Sequence, residues 1–107
     1  MEFNLAQVAE AIEAAIPDHT AVIWRDARRS YAELGERTRR LANFLVDRGL
    51  ADARPSDGRA PWESRQAHLA LYMYNCPQYL EGMLGGFKAR AVPVNVNYRY
   101  VADELLY

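Results

Sequence analysis

The feature that most constrains this chain is a strand, helix, strand order over residues 68–95. His68-Leu69-Ala70-Leu71-Tyr72-Met73-Tyr74 is an almost uninterrupted apolar run, suited to a strand buried on both faces of a parallel sheet. Asn75-Cys76-Pro77 follows at once. Asn75 or Cys76 fits the helix cap, and Pro77 fits the first turn, where its missing N–H has no partner to lose. Leu80, Met83, Leu84 and Phe87 recur at helical spacing through about Arg90, and residues 91–95 supply the second strand. Such a βαβ unit pairs its strands in parallel through a crossover that is right-handed in nearly all proteins. The fold class predicted is therefore α/β, with a partial parallel sheet.

The N-terminal half adds a helix, a β-hairpin and a covering helix. Leu5, Val8, Ala9, Ile12 and Ile16 recur at helical spacing while Glu2, Gln7, Glu10 and Glu13 take the other positions, which predicts an amphipathic helix over 4–16 capped by Asn4. Pro17 ends it, and the β-branched and aromatic run 20–24 reads as a strand. A turn at 25–27 returns the chain antiparallel through 28–31. Ser30 and Glu33 match the S-x-x-E capping box of a second helix. Leu34, Thr38, Leu41, Ala42 and Leu45 line one side of that helix, which ends at Gly49. Residues 50–67 carry two prolines and one glycine without periodicity and read as an irregular surface loop, pinned by Trp62. Asp103 and Glu104 mark the first turn of a helix beginning about Val101, which is cut off at Tyr107 before completing an apolar face. The expectation is an incomplete subdomain over 1–107.

Composition narrows the function. Thirteen basic against fourteen acidic residues in 107 give a net charge of -1, so no general attraction for nucleic acid or an anionic membrane is expected. No apolar stretch approaches the roughly 20 residues that span a bilayer. One cysteine allows no internal disulfide, and without a secretory leader pattern the expected compartment is the cytoplasm. His19, His68 and Cys76 have no zinc-ligand spacing and are read as ordinary side chains. Cys76 is read as a small filler of the strand-to-helix junction rather than a reactive thiol.

The six glycines form neither G-x-G-x-x-G nor a Walker loop. Gly82, Gly85 and Gly86 fall inside a predicted helix, where each costs about 1 kcal/mol relative to Ala, and close packing is the expected compensation. No Ser lies in a G-x-S-x-G elbow. The one suggestive place is the carboxyl end of the parallel strands, where open α/β sheets bind ligands and where Asn75, Cys76, Asn95, Asn97 and Tyr98 should gather. Capping, turn formation and packing are the favoured roles for these residues. No catalytic, cofactor-binding or metal-binding residue is assigned.

Two stretches carry a family resemblance: Ser30-Tyr31-Ala32-Glu33-Leu34, followed by Arg37, Leu41, Ala42 and Leu45 at helical positions, and the run from Tyr72 to Tyr100 with Phe87-Lys88-Ala89 and Val92-Pro93-Val94-Asn95. The first is similar to the early L-T-Y-x-E-L motif of the AMP-forming acyl-CoA synthetases, of the adenylate-forming superfamily. The second is similar throughout to bacterial members and matches the second core motif. The resemblance implies the N-terminal portion of an enzyme that joins a fatty or related lipid carboxylate to ATP as an acyl-adenylate and then passes the acyl group to CoA. ATP, Mg and CoA are implied for a complete relative and none for this portion. The family's phosphate loop and lid lysine would lie beyond Tyr107, so the 107 residues alone are expected to be inactive. The implied partner is the remainder of the ligase chain, or a second copy meeting an exposed apolar surface. A stand-alone α/β interaction module, or a piece of a split ligase, is the alternative; a simple small-molecule binder comes third.

Overall fold

A computed structural model describes residues 4–51, 58, 60 and 62–107. In chain order the elements are α1 (Leu5–Ala15), β1 (Thr20–Trp24), β2 (Ala27–Ser30), α2 (Tyr31–Asp47), β3 (His68–Tyr72), α3 (Pro77–Lys88), β4 (Val92–Val96) and α4 (Ala102–Leu106). β1 and β2 form the antiparallel hairpin, and β3 and β4 pair in parallel from His68 opposite Val92 to Tyr72 opposite Val96. The predicted α/β architecture and its βαβ unit are thus the observed ones.

Local chemistry explains the element boundaries. Asn4 and Gln7 close a reciprocal cap on α1, each side-chain oxygen accepting the other's backbone N–H at 2.9 and 3.2 Å. Ser30 Oγ accepts the Glu33 N–H at 3.1 Å and starts α2 directly from the hairpin. Gly49, at φ +72°, supplies the left-handed turn that stops α2. Cys76 holds the cap position of α3 without a side-chain bond to the helix amides, and Pro77 opens the helix.

α3 lies between the parallel pair and α2, and its glycines make this possible. A Cβ on Gly82 would meet Leu71 Cδ2 at 2.7 Å and one on Gly86 would meet Pro93 Cγ at 3.0 Å, both on the sheet side. A Cβ on Gly85 would meet Leu41 Cδ2 of α2 at 2.7 Å. The glycine-bearing face is therefore the deepest face of α3, whereas Leu80 of the apolar stripe stays 38% exposed. Leu34, Ala42 and Leu45 of α2, Leu71 of β3, and Ala89 and Ala91 complete the core.

Three expectations are corrected. β3 is not buried on both faces: Leu71 is buried, Leu69 half-buried, and His68, Ala70 and Tyr72 are exposed, because α3 covers one side and no described element covers the other. Trp62 does not pin the segment to the described residues, being 85% exposed. The end of that segment is instead held by Gln66 Nε2 donating to the Arg90 carbonyl at 2.7 Å and by the Val92 N–H donating to the Ala67 carbonyl at 2.8 Å. Residues 52–57, 59 and 61 of the predicted loop lie outside the described residues. Third, amphipathicity would turn the apolar stripe of α1 inward, yet Ala6 and Glu13 are the buried residues while Leu5, Val8 and Ile12 are exposed by 61, 48 and 39%.

The exposed area is correspondingly large. The surface measures 8041 Å² for 12.2 kDa, against about 6,100 Å² for a self-contained protein of that mass. The radius of gyration, 15.4 Å, likewise exceeds the roughly 13 Å of a compact domain of this length.

Candidate functional site

The chemistry-bearing side chains collect in three places. The first is the carboxyl edge of β3 and β4. Tyr72 Oη donates to the Tyr100 carbonyl at 2.6 Å, and the Tyr74 and Tyr98 rings lie 4.9 Å apart, tilted by 43°. Asn97 Oδ1 accepts the Arg99 N–H at 3.0 Å, the Asx turn expected from its sequence position. Arg99 Nε donates in turn to Tyr98 Oη at 3.2 Å. The half-buried Cys76 sits with its Sγ 3.9 Å from Met73 Sδ. Asn75, Cys76, Asn95, Asn97 and Tyr98 are thus all at this end. Asn97 and Tyr98 fold the chain there, and Asn75 and Asn95 stand exposed on its rim.

The second place is a carboxylate that the sequence did not single out. Glu81 of α3, 10% exposed at its side chain, receives Arg29 Nη1 from β2 at 2.7 Å and Arg37 Nε and Nη2 from α2 at 2.6 and 3.1 Å. One carboxylate thereby fastens the hairpin, α2 and α3. Its hydrogen bonds, with a smaller coulombic contribution, raise the Arg37 guanidinium above the usual arginine range against an opposing desolvation effect. Arg37 is therefore a fixed cation. The signal available in the sequence was position: Glu81 belongs to the glycine-bearing face of α3, next to Gly82.

The third is Glu13 of α1. Lys88 Nζ of α3 donates to both its oxygens at 3.0 and 2.9 Å and also to Thr38 Oγ1 of α2 at 2.8 Å. Lys88 and Glu13 side chains are 3% and 6% exposed, and Arg39 Nη1 lies 3.7 Å from Glu13 Oε2. Thr38, fully buried, bonds through Oγ1 to the Leu34 and Gly35 carbonyls at 2.8 and 3.0 Å. Every acceptor and donor at this node is satisfied within the chain.

These arrangements do not fit a nucleotide or a magnesium ion. Gly82, Gly85 and Gly86 face Leu71, Leu41 and Pro93 and leave no cradle for phosphate, and both buried carboxylates are saturated by cations. Among the described residues no group of three or more His, Cys, Asp or Glu could hold a metal ion, and no helix is long and apolar enough to cross a membrane. What the site does chemically is bind elements together: buried ion pairs orient α1, α2, α3 and the hairpin around the parallel pair.

The AMP-binding enzyme family matches residues 9–107. The chain belongs to that family. It is 43% identical over 105 residues to the medium-chain acyl-CoA ligase Mig of Mycobacterium avium, covering 98% of this chain and 19% of that protein. It is 38% identical over 104 residues to a medium/long-chain-fatty-acid–CoA/3-oxocholest-4-en-26-oate–CoA ligase of Mycobacterium tuberculosis, covering 97% of this chain and 17% of that protein. The chain thus spans less than a fifth of the length of these curated relatives. In three dimensions it matches the NpsA N-terminal subdomain of Klebsiella oxytoca, solved in complex with 3-hydroxyanthranilyl-AMSN, with a TM-score of 0.75 at 23% identity over 92% of this chain and 22% of that one. A further match, at TM-score 0.73 and 25% identity, is an artificially fused adenylation–PCP di-domain from the same organism, covering 94% of this chain and 18% of that one. In that neighbour the equivalent fold is continuous with further domains of one chain. Within the stretch that carried the resemblance, Lys88 is the ion-pair partner of Glu13 and Ala89 is 2% exposed in the core.

Proposed function

We propose that the chain is the N-terminal part of an ATP-dependent, AMP-forming acyl-CoA synthetase acting in the cytoplasm on a lipid carboxylate, either a medium or long fatty acid or a steroid side-chain acid. The observation that carries this reading is the 43% identity to a medium-chain acyl-CoA ligase over nearly the whole of this chain. In such an enzyme ATP supplies the leaving group that activates the carboxylate, and CoA takes the acyl group. The contribution of residues 1–107 is to build a scaffold. They fix a parallel pair, its covering helices and a hairpin by buried ion pairs, and they leave Leu5, Val8, Ile23, Phe44, Val46 and Val94 exposed for later residues of the same polypeptide to cover.

The test is a transplant. Replacing the matching N-terminal segment of the Mycobacterium avium ligase with this chain should leave acyl-CoA formation within about tenfold of the parent, which is 1.4 kcal/mol of barrier. The 107 residues alone should show no ATP–pyrophosphate exchange with any fatty acid. A folded but inert chimera, or exchange by the isolated chain, would overturn the assignment.

A second reading is favoured by the open apolar surface: a stand-alone module that binds another protein or the rest of a split ligase. It requires a concentration-dependent partner or self-association. A chain that stays monomeric at high concentration and binds no apolar dye would count against it.

A further inference from the structure

We infer that the Glu13–Lys88–Thr38 node is a rotational key, which fixes the face that α1 presents to α2 and α3 and thereby holds its apolar stripe outward. At about 100° per residue, Ala6, Ala9 and Glu13 cluster on one side of α1, and Leu5, Val8, Ile12 and Ile16 cluster about a quarter turn away. The helix seats the first set against its neighbours and leaves the second exposed, about a quarter turn from the setting that hydrophobicity alone would choose.

Two independent observations identify what holds it there. Lys88 is 3% exposed at its side chain and finds its counter-charge in Glu13, so any roll that withdrew Glu13 would strand a buried ammonium group. The slot that receives the carboxylate is cut by a glycine: a Cβ on Gly35 would stand 2.6 Å from Glu13 Oε2 and 2.9 Å from its carboxyl carbon. A mid-helix glycine in α2 opposite a buried acid on α1 is a lock and key built from backbone and charge. The outward stripe then forms part of the surface that the proposed function assigns to later residues. The key itself does not depend on that assignment.

Thiol labelling of the 107-residue chain reads the rotation directly and uses no ligase activity, so its outcome is separate from that of the transplant. In a Cys76→Ser background, Ile12→Cys places a thiol on the stripe and Glu10→Cys places one on the side that stays exposed in either setting. With the node intact both thiols should label rapidly. Adding Glu13→Ala and Lys88→Ala, which removes both charges without putting an apolar pair of the same volume in their place, should roll the stripe inward and slow labelling at position 12 by at least about tenfold, while position 10 is unchanged. Gly35→Ala, which closes the slot, should act in the same direction. The reversed pair Glu13→Lys with Lys88→Glu should restore rapid labelling at position 12. Unchanged labelling at position 12 in a double variant that keeps its helical circular dichroism would overturn the inference. So would labelling of both positions at the rate of the urea-unfolded chain, since the node would then hold α1 on rather than set its rotation.

Discussion

Replacing Glu81 by alanine tests whether one carboxylate fastens the hairpin, α2 and α3. The change removes three charge-assisted hydrogen bonds at 2.7, 2.6 and 3.1 Å from a side chain that is 10% exposed. Truncating one member of a fully buried ion pair costs about 3–5 kcal/mol. Here the abandoned cations are not fully buried: Arg29 and Arg37 side chains are 25% and 44% exposed. Both can turn into water, and the screening appropriate to exposed groups lowers the expected loss to about 2–3 kcal/mol. With a urea dependence of about 1–1.5 kcal/mol per molar for a body of this size, the unfolding midpoint should fall by roughly 2 M. Arg37→Ala leaves the Arg29 contact in place and should cost only about 1 kcal/mol; the double variant should show coupling of about 1 kcal/mol or more. Arg40→Ala is the reference, because its contact with Glu36 joins side chains that are 77% and 58% exposed and should lie within about 0.5 kcal/mol of the parent. The pH dependence has a definite sign. Glu81 raises the Arg37 titration, so its stabilisation is complete below the unfolded arginine value and is lost only as pH rises through the still higher folded one. Mild alkali should therefore leave the effect of Glu81→Ala unchanged. Equal urea midpoints for Glu81→Ala and Arg40→Ala would refute the reasoning.

Two further outcomes follow from packing. Gly85→Ala gains helix propensity worth about 1 kcal/mol, yet its Cβ would stand 2.7–3.0 Å from Leu41 Cδ2, Cβ and Cγ; Leu41 Cβ cannot step aside without moving α2, so thermal unfolding should show a net loss of about 1–2 kcal/mol. Val8→Lys with Ile12→Lys, on the exposed stripe of α1, should change stability by less than about 0.5 kcal/mol per site while lowering the fluorescence of a bound apolar dye.

What was legible in the sequence was whatever depends on neighbours along the chain. Asn4 and Ser30 capped the helices they were expected to cap, Gly49 stopped α2, and the apolar run at 68–74 followed by Asn-Cys-Pro gave the βαβ unit its order and direction. Leu34, Thr38, Ala42 and Leu45 became the buried side of α2 because that helix is packed on one side only. The failures share a different cause: in α1 and α3 the deepest face is chosen by contacts from distant elements. Glu13 took a polar position in the pattern of α1 and Glu81 was not singled out, because their partners Lys88 and Arg29 are 75 and 52 residues away along the chain. Gly35 and Gly82 carried the only local trace of those faces. Burial of β3 was overestimated for the same reason, since periodicity reports how apolar a strand is and not how many layers are there to cover it.

The quarter-turn offset of α1 bears on how the body as a whole is stabilised. Turning Leu5, Val8, Ile12 and Ile16 inward would recover about 1.5–3 kcal/mol for each side chain fully buried, and buried ion pairs commonly contribute less than an apolar replacement of similar volume. A chain optimised to stand alone would take the apolar solution. This one places charge between its helices at Glu13 and Glu81 and leaves Leu5, Val8, Ile23, Phe44, Val46 and Val94 each 41–61% exposed. Ion pairs inside with aliphatic side chains outside is the distribution expected when burial of the outer surface is completed by other residues and the inner contacts must set orientation. It predicts that residues covering the stripe should stabilise these elements far more than any substitution within the inner contacts. Adding the apolar dye as a competitor measures this, because whatever covers the stripe must displace it.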